Sequence, residues 1–344
     1  MSALKKLVIF LAILVIALPA SFAGVVYTKL HKMKIDDGFE MLETNKYKFD
    51  DEITNILLVG SDARPGEEQS RSDAMMILTV DRKNNKLKLT SLGRDTYVNI
   101  PGHGFQKLTH AYSYGKEKLL IDTIEENFEL DIQNYAKVDF ISFMDIVDTI
   151  GGIEVNILSG ELQELNKFIY ECYKFDRNHP EPIQYIKKPG TQTLMGYQAL
   201  SFARIRHNDG TMERDNRQRL VIEAILKKAK TMPVSKYSKL LNAVLPYVTT
   251  NMDPADILYL AKDILSIGDL SLETLQFPFH PENEVRLQEA GYVIPYEKYE
   301  NKLLHNFIFD DKKPTKLDIE NADKDWEKSG QKSQYISDPE YSNR

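Results

Sequence analysis

The chain has 344 residues, of which 42% are hydrophobic and 28% charged, a composition ordinary for a globular protein with a full core. Its formal net charge of −7 argues against non-specific binding to nucleic acid or to an anionic membrane surface, so a bound anion needs a local cluster of cations. The single cysteine, Cys172, excludes an intramolecular disulfide, and the chain has neither the Cys and His spacings of zinc sites nor the glycine motifs of nucleotide sites.

The N-terminus has the features of an export segment. Residues 7–27 carry no charge and are rich in aliphatic side chains, and about 21 helical residues span the hydrocarbon core of a bilayer. Lys5 and Lys6 precede the segment, so we predict a transmembrane anchor with residues 1–6 in the cytoplasm and the bulk of the chain outside. A cleaved signal peptide is the alternative, because residues 21–23 have the small side chains of a cleavage site. Several lysines that follow the segment also weaken the charge asymmetry.

The next part of the chain predicts a stalk followed by the first strands of a core. Residues 28–50 are polar and charged, which favours a stalk or linker. Residues 53–60 form a short apolar run that ends in glycine, typical of a buried strand. Two further apolar runs, 74–80 and 86–92, flank a turn with two asparagines and predict a hairpin.

The remaining sequence alternates helices with strands and therefore predicts one α/β domain over residues 51–310. We interpret residues 158–190 as an irregular insertion and residues 311–344, which are polar and poor in aliphatics, as a disordered tail. The other predicted elements are a helix at 116–128, a strand at 133–139, a helix at 141–150, a strand at 153–157, helices at 191–203, 213–230, 235–248 and 254–266, and a strand at 270–277.

Aspartates and arginines lie where the first strands begin and end. Asp62 follows the first strand, and Arg71 and Asp73 lead into the second, two residues apart and so on one side of an extended chain. The ends of strands in α/β sheets commonly hold ligands. A simpler alternative is a surface salt bridge among these three residues.

A third arginine and aspartate pair follows the hairpin. Arg94 and Asp95 come directly after the strand at 86–92, again where a ligand site is expected. Asp95 alone is explained as well by a turn in which it caps its own backbone. That alternative gives no reason for Arg94.

The densest group of cations lies between residues 204 and 219. Arg204 and Arg206 are predicted on one side of an extended segment. In the helix that follows, Arg214, Arg217 and Gln218 share a face with the apolar Val221 and Ile225, whereas Asn216, Arg219, Glu223 and Lys227 form the polar face.

Inward-facing arginines need anionic partners, because a buried unpaired charge is costly. The nearby acids are few (Asp209, Glu213 and Asp215), although the protein's own carboxylates remain an alternative. The planar guanidinium group suits phosphate oxygens. A diphosphate, with a divalent cation held by Asp62 and Asp73, would satisfy this balance of charge.

Residues 111–115 imitate a catalytic motif. Ala-Tyr-Ser-Tyr-Gly before a predicted helix resembles the nucleophile elbow of serine hydrolases, with alanine in place of the first glycine. No histidine and acid accompany it in the sequence, so we do not expect a serine hydrolase.

Taken together, the marked segments resemble the LytR–CpsA–Psr family of cell-wall phosphotransferases. The resemblance covers about residues 52–230 in order. One departure is Gly93, where the family usually has proline, and the insertion at 158–190 is particular to this chain. The matching segments are residues 55–64, 71–73, 91–96, 107–112, 138–140 with 151–153, 196–206 and 214–218.

The resemblance implies a mixed central sheet flanked by helices on both sides, behind one N-terminal transmembrane helix. It also implies transfer of a glycopolymer (teichoic acid, capsule or similar) from a polyprenyl diphosphate carrier to peptidoglycan. The family's Mg²⁺ site, which could also take Mn²⁺, maps to Asp62 and Asp73. The implied catalytic residues are Arg71, Asp73, Arg94, Arg204 and Arg206, and the implied diphosphate ligands are Arg71, Arg94, Arg204, Arg206, Arg214, Arg217 and Gln218.

Other functions fit parts of the same sequence. A hydrolase would use the same site with water as acceptor, and a wall-polymer scaffold would bind without turnover. A DNA-binding regulator conflicts with the predicted export and with the net charge of −7.

Overall fold

A computed structural model gives the structure of the protein. It describes residues 34–35, 47–61, 72–176, 182–205, 214, 216–221, 224–225, 228, 248–267 and 272–342. The described residues form a three-layer α/β domain. Its strands are β1 (Lys34–Ile35), β2 (Ile53–Ser61), β3 (Ser72–Asp81), β4 (Lys86–Leu92), β5 (Tyr97–Ile100), β6 (Gly104–Lys107), β7 (Asn134–Asp139), β8 (Ile153–Ile157), β9 (Gly190–Leu194), β10 (Thr249–Thr250), β11 (Leu272–Phe277), β12 (Val285–Leu287) and β13 (Gly291–Val293).

The helices pack on both faces of the sheet. Residues 214, 216–221, 224, 225 and 228 are helical as well, and we call them the arginine helix. The numbered helices are α1 (Leu108–Phe128), α2 (Phe140–Thr149), α3 (Leu162–Tyr173), α4 (Gly196–Arg204), α5 (Pro254–Ser266), α6 (Glu300–Phe309), α7 (Lys316–Ser329) and α8 (Pro339–Ser342), with 3₁₀ turns at Ser159–Glu161, Pro281–Asn283 and Gln334–Ser337.

Seven of the described strands form the central mixed sheet, in the order β1-β10-β7-β2-β3-β4-β11. The predicted hairpin is confirmed, since β3 and β4 pair antiparallel with Ile77 opposite Thr90. β2 pairs antiparallel with β3 and parallel with β7, which brings the carboxyl ends of β2 and β7 beside the start of β3. The strand ends that carry the aspartates and arginines therefore lie next to one another, at the carboxyl ends of β2 and β7.

Side-chain alternation along the strands builds a core on each face. On β3, Met76 and Leu78 belong to a cluster that contains α2, α4, α5 and the arginine helix. Met75 and Ile77 belong to a second cluster with α1 and α6. The predicted αβα architecture is confirmed.

The predicted boundary at residue 51 is too late. β1, within the predicted stalk, adds to the sheet by pairing with β10, and Lys48 forms a bridge with Leu130. The edge of the sheet offers unpaired backbone groups, and a polar segment can use them without contributing apolar side chains.

The interpretation of residues 158–190 as irregular is wrong in part. They contain α3, whose Leu165, Ile169 and Cys172 recur at helical spacing and are fully buried. Residues 191–194, predicted as the start of a helix, instead belong to β9, which pairs with β8. The helix begins at Gly196 and includes Arg204. Hydrophobic periodicity was present in α3, but the surrounding charges obscured it.

The helix predicted at 116–128 begins eight residues earlier, at Leu108. Its backbone breaks at Gly115 and Lys116, and Lys116 has a φ of +53°. Ser113 thus lies within a helical segment instead of on a strand-to-helix turn. The structure gives no support to the nucleophile elbow.

The C-terminal segment is ordered, contrary to the prediction for residues 311–344. Thr315 and Asp318 form a capping box at the start of α7. Beyond α7, Tyr335 is buried, and its hydroxyl donates to the carbonyl oxygen of Tyr97 at 2.7 Å. Aromatic residues, which composition alone undervalued, attach this segment to the domain.

Several predictions fall outside the described residues, namely the segments 1–6 and 7–27, Asp62, Arg71, Arg206 and the helix at 235–248. Within the described part of the chain, no helix has the length and apolar character needed to cross a membrane.

Candidate active site

A cavity of about 350 Å³ lies between the sheet and the helices of one face. Its floor is made of small and aliphatic side chains of β2, β3 and β7, where Gly60 lies opposite Ala74. A Cβ atom on Gly60 would lie 3.1 Å from that of Ala74, so a larger residue at position 60 would crowd Ala74 on the neighbouring strand. The apolar wall comes from α2, α3, α4 and the arginine helix: Phe140, Phe143, Ile146, Phe168, Leu200, Ala203, Val221 and Ile225.

Five polar residues line the same cavity, and we call them the polar rim: Asp73, Asp139, Arg204, Arg214 and Gln218. Their arrangement joins the sheet to the helices, since Gln218 Nε2 donates to the backbone oxygen of Asp73 at 3.5 Å. The described cavity therefore combines a long apolar wall with a small charged region.

On the sheet side, the aspartates and cations form a connected network. Arg94 Nη1 donates to Asp73 Oδ1 at 2.5 Å, and Arg94 Nε donates to Asp95 Oδ2 at 3.3 Å. Lys107 Nζ donates to the other oxygen of Asp95 at 3.0 Å. The backbone supports this geometry, because the amide of Thr109 donates to the carbonyl oxygen of Arg94. Asp95 thus anchors two cations, which the simple turn-cap alternative does not describe.

The charges in this network lower the pKa of Asp95 and raise the pKa of Arg94. Burial by itself raises the pKa of Asp95, but the positive charges of Arg94, Lys107 and Arg214 outweigh it and hold that pKa below its ordinary value. Burial lowers the pKa of Arg94, and the carboxylates of Asp95 and Asp73 raise it above its ordinary value. Asp95 and Arg94 are therefore both charged at neutral pH.

On the helix side, the prediction of an inward arginine face is confirmed. Arg214 and Arg217 are each only 4% exposed, and they lie in line with the buried Val221 and Ile225. Arg214 borders the cavity. Arg219 lies on the outer face, where its guanidinium donates to Asn216.

Arg204, the last residue of α4, is held between two aromatic rings. Its guanidinium carbon lies 5.4 Å from the ring centre of Phe140 and 5.2 Å from that of Phe168, within the range of cation–π attraction. Nη1 also donates to the sulfur of the buried Cys172 at 3.4 Å, while the carboxylate of Glu171 lies 3.7 Å away and is half exposed. The rings orient the cation without neutralising it.

Arg217 differs from its neighbours because it makes a buried salt bridge. Its Nε donates to Glu161 Oε1 at 2.7 Å, and both residues are buried. For this arginine, the alternative that the protein's own carboxylate serves as partner is what the structure shows. Glu161 belongs to the segment 158–190 and was not among the nearby acids considered from sequence.

The structure therefore brings together Asp73, Arg94, Arg204, Arg214 and Gln218, with Arg217 one layer behind them. Sequence reasoning missed Phe168 and Glu161, and it gave no role to Phe140, although Phe140 lies in the matching segment 138–140. The apolar period of α3 could have revealed Phe168 as part of a packed helix, whereas no local signal connects Glu161 with a residue 56 positions away.

The departure at Gly93 has a local explanation. Its amide donates to the carbonyl oxygen of Phe277 at 2.8 Å, which ties the end of β4 to β11. A proline has no amide hydrogen and could not make this bond.

The residues present offer an oxygen donor suited to Mg²⁺. Asp73 Oδ1 is used by Arg94, while no described residue donates a hydrogen bond to Oδ2. Mg²⁺ commonly binds one or two carboxylates together with substrate phosphates, so a single such carboxylate fits. No group of three or more potential metal ligands occurs among the described residues, which exclude Asp62.

Comparison with known proteins shows which family this chain resembles. The LytR_cpsA_psr family model matches residues 23–306. A Bacillus subtilis (strain 168) protein named polyisoprenyl-teichoic acid–peptidoglycan teichoic acid transferase TagT is 32% identical over 249 residues, covering 69% of this chain and 74% of that protein. An Enterococcus faecalis protein named as the corresponding transferase TagU is 33% identical over 290 residues, covering 80% of this chain and 89% of that protein.

Solved structures agree with the sequence relatives. The structure of the Bacillus subtilis protein YwtF (TagT) with bound octaprenyl pyrophosphate lipid is similar with a TM-score of 0.56 and 27% identity, covering 80% of this chain and 98% of that chain. Because the family model covers most of the chain and relatives in two genera are about one third identical over the aligned residues, the chain belongs to the LytR_cpsA_psr family.

Proposed function

We propose that this protein is a phosphotransferase that moves an anionic glycopolymer, such as teichoic acid or capsule, from a polyprenyl diphosphate carrier to peptidoglycan. The observation that carries the proposal is the cavity itself, which combines an apolar wall with two arginines, a glutamine and two aspartates. A polyprenyl diphosphate has the same division into an apolar chain and a charged head. Relatives named as teichoic acid transferases support the same conclusion.

The charged head belongs at the polar rim. Arg204 and Arg214 would contact diphosphate oxygens there, with Gln218 as a neutral donor and Arg94 acting from the sheet side. Arg71 and Arg206, which lie outside the described residues, complete the proposed set. Fixed guanidinium groups in a partly buried site stabilise charge on phosphate oxygens more strongly than water does.

In the proposed reaction, a hydroxyl oxygen of peptidoglycan attacks the phosphorus nearer the glycan. The bond from that phosphorus to the bridging oxygen breaks, and polyprenyl phosphate leaves with the bonding electrons. The arginines offset the charge that develops on the equatorial and leaving oxygens. The hydroxyl proton passes to a carboxylate, and the described carboxylates at the rim are Asp73 and Asp139.

Asp73, together with Asp62, would hold Mg²⁺, or Mn²⁺ in its place. When bound, the cation supplies further neutralisation of the diphosphate. Arg94 keeps one oxygen of Asp73 engaged, which orients the other oxygen for a ligand. A tight metal ligand is a poor base, so Asp73 cannot fill both roles in one step.

The place of the reaction follows from the proposed topology, with residues 7–27 as a retained anchor and the domain outside the cell. Protease added to intact protoplasts should then digest the domain and leave a membrane-bound fragment. Mature protein in the culture medium that begins near Gly24 would show a cleaved signal peptide instead.

The activity is tested with the full chain in detergent, a lipid-linked glycopolymer and peptidoglycan. We expect glycopolymer attached to peptidoglycan, free polyprenyl phosphate, and loss of transfer with EDTA that Mg²⁺ restores. Released glycopolymer with no attachment would identify a hydrolase, and binding without any product would identify a scaffold. Transfer that is unchanged in EDTA would contradict the metal site.

A further inference from the structure

The salt bridge between Glu161 and Arg217 is fully integrated into the fold. Glu161 is 6% exposed and Arg217 is 4% exposed, and Nε of the arginine lies 2.7 Å from Oε1 of the glutamate. The second oxygen, Oε2, accepts the backbone amide of Leu158 at 2.9 Å. Both carboxylate oxygens are therefore used, so the glutamate cannot rotate without losing a bond.

The same arginine binds a third segment of the chain. Arg217 Nη1 donates to the carbonyl oxygen of Ile205 at 3.3 Å. Ile205 lies between Arg204 and Arg206 in the sequence. Arg217 thus connects the turn that carries Glu161, the end of α4 and the arginine helix.

This connection sets the rotation of the arginine helix. Each residue of a helix advances about 100°, so a fixed side chain at position 217 fixes the direction of its neighbours. Arg214, one turn earlier, and Gln218, the next residue, both face the cavity. Arg217 itself is not among the described residues that line the cavity.

The segment that supplies Glu161 also supports the other rim arginine. α3 begins directly after Glu161, and it carries Phe168 and Cys172, both of which contact Arg204. The segment 158–173 therefore contacts an arginine on each of the two helices that form the helix side of the rim.

We propose that Glu161 is a positioning residue for the diphosphate site and that Arg217 transmits its effect, without contacting the diphosphate. The inference rests on the proposed function and adds to it a residue outside the cavity. A buried ion pair contributes little net stability over well-packed apolar residues, but it strongly disfavours arrangements in which either charge lacks its partner. Glu161 and Arg217 hold one rotation of the helix in this way.

The first test compares ligand affinities of folded proteins. Octaprenyl diphosphate and octaprenyl monophosphate are titrated into the full chain in detergent, well below the melting temperature, with wild type, Glu161→Gln and Glu154→Gln. Glu154 is an exposed glutamate on β8 and provides the matched control. We expect Glu161→Gln to weaken diphosphate binding at least about tenfold and monophosphate binding less than about threefold, with Glu154→Gln unchanged.

The second test distinguishes positioning from direct contact. Arg217→Met alone leaves Glu161 buried without its cation, and we expect weak diphosphate binding. The double variant Glu161→Leu/Arg217→Met replaces the pair with apolar side chains, and we expect affinity within about threefold of wild type. If either single variant fails to fold, the affinity of the double variant relative to wild type decides the matter.

Two outcomes would overturn the inference while leaving the proposed function intact. One is a double variant that binds the diphosphate as weakly as Arg217→Met, which would show that Arg217 contacts the diphosphate. The other is a folded Glu161→Gln protein that binds both lipids like wild type. Wild-type protein that does not distinguish the diphosphate from the monophosphate would instead count against the proposed function.

Discussion

The two sides of the polar rim hold their charges in different ways. On the sheet side, Asp73, Arg94, Asp95 and Lys107 form a network in which two carboxylates meet two cations. On the helix side, the described polar residues that line the cavity are Arg204, Arg214 and Gln218. Both carboxylates among the described lining residues, Asp73 and Asp139, belong to the sheet side.

This difference indicates that the sheet side and the helix side have different roles. A network with balanced charge fixes geometry before the ligand arrives, since each member has a partner in the fold. Arg204 is held by aromatic rings and lies 3.7 Å from the half-exposed carboxylate of Glu171, a pairing that solvent weakens, so a bound anion can compete for its charge. We therefore expect variants on the two sides, and in the layer behind them, to separate effects on stability from effects on ligand binding.

The largest expected effect on stability separates Arg217 from Arg214. Arg217→Ala should lower the free energy of unfolding by roughly 3–5 kcal/mol, because it leaves the buried Glu161 without its cation. Arg214→Ala should cost less than half of that, since Arg214 borders the cavity, where water can enter the space that its side chain leaves. Urea denaturation of the full chain in detergent measures both. Equal losses would remove the distinction between a rim arginine and a supporting arginine.

The largest expected effect on activity belongs to the helix side. Arg214→Ala should reduce transfer at least about a hundredfold, as expected on losing one preorganised donor to a developing charge. Arg219→Ala is the matched control, because that side chain lies on the outer face and bonds Asn216. Transfer rates of the two purified variants give the answer. Similar transfer rates would show that transfer depends on the total positive charge of the helix and not on the position of Arg214.

A smaller effect is expected from the apolar wall. Val221→Trp should fill part of the cavity and weaken polyprenyl diphosphate binding about tenfold, since overpacking leaves no space for the lipid. Leu220→Trp adds the same side chain at the exposed neighbouring position and should bind normally. Lipid titration followed by thermal shift measures both. If Val221→Trp binds like wild type, the lipid does not occupy this cavity.

The smallest expected effect is a change in how stability depends on pH, and it tests the charge network on the sheet side. Asp95 has a depressed pKa in the folded protein, so its contribution to stability is complete above its unfolded pKa of about 3.9 and is lost as pH falls through the folded value. Wild type should therefore lose stability below about pH 4. Asp95→Asn should be less stable at pH 7 and should lose less on acidification. Parallel pH profiles of the two proteins would contradict this role.

Much of the fold could be predicted because its signals are local. The strand at 53–60, the hairpin around the asparagine turn and the helix at 254–266 each have a hydrophobic period and turn or cap residues within a few positions. The C-terminal segment was predicted wrongly because its order depends on Tyr335 reaching Tyr97, a contact that spans 238 positions. The segment 158–190 was missed for a related reason, since its charged residues outnumber the few apolar ones that α3 buries.

The predictions for the candidate site separate in the same way, into features that depend on local sequence and features that depend on distant contacts. Local sequence was enough to predict the residue types of the site, the α/β class and the inward face of the arginine helix, because helical period and strand alternation depend on near neighbours in the chain. Which arginine borders the cavity and which one is neutralised depends on packing between distant segments. Arg214 and Arg217 share one face of one helix, yet the first meets the cavity and the second meets Glu161, 56 positions away. Charge pairing depends on distance in space, and folding places these two charged groups 2.7 Å apart although they are far apart in the sequence.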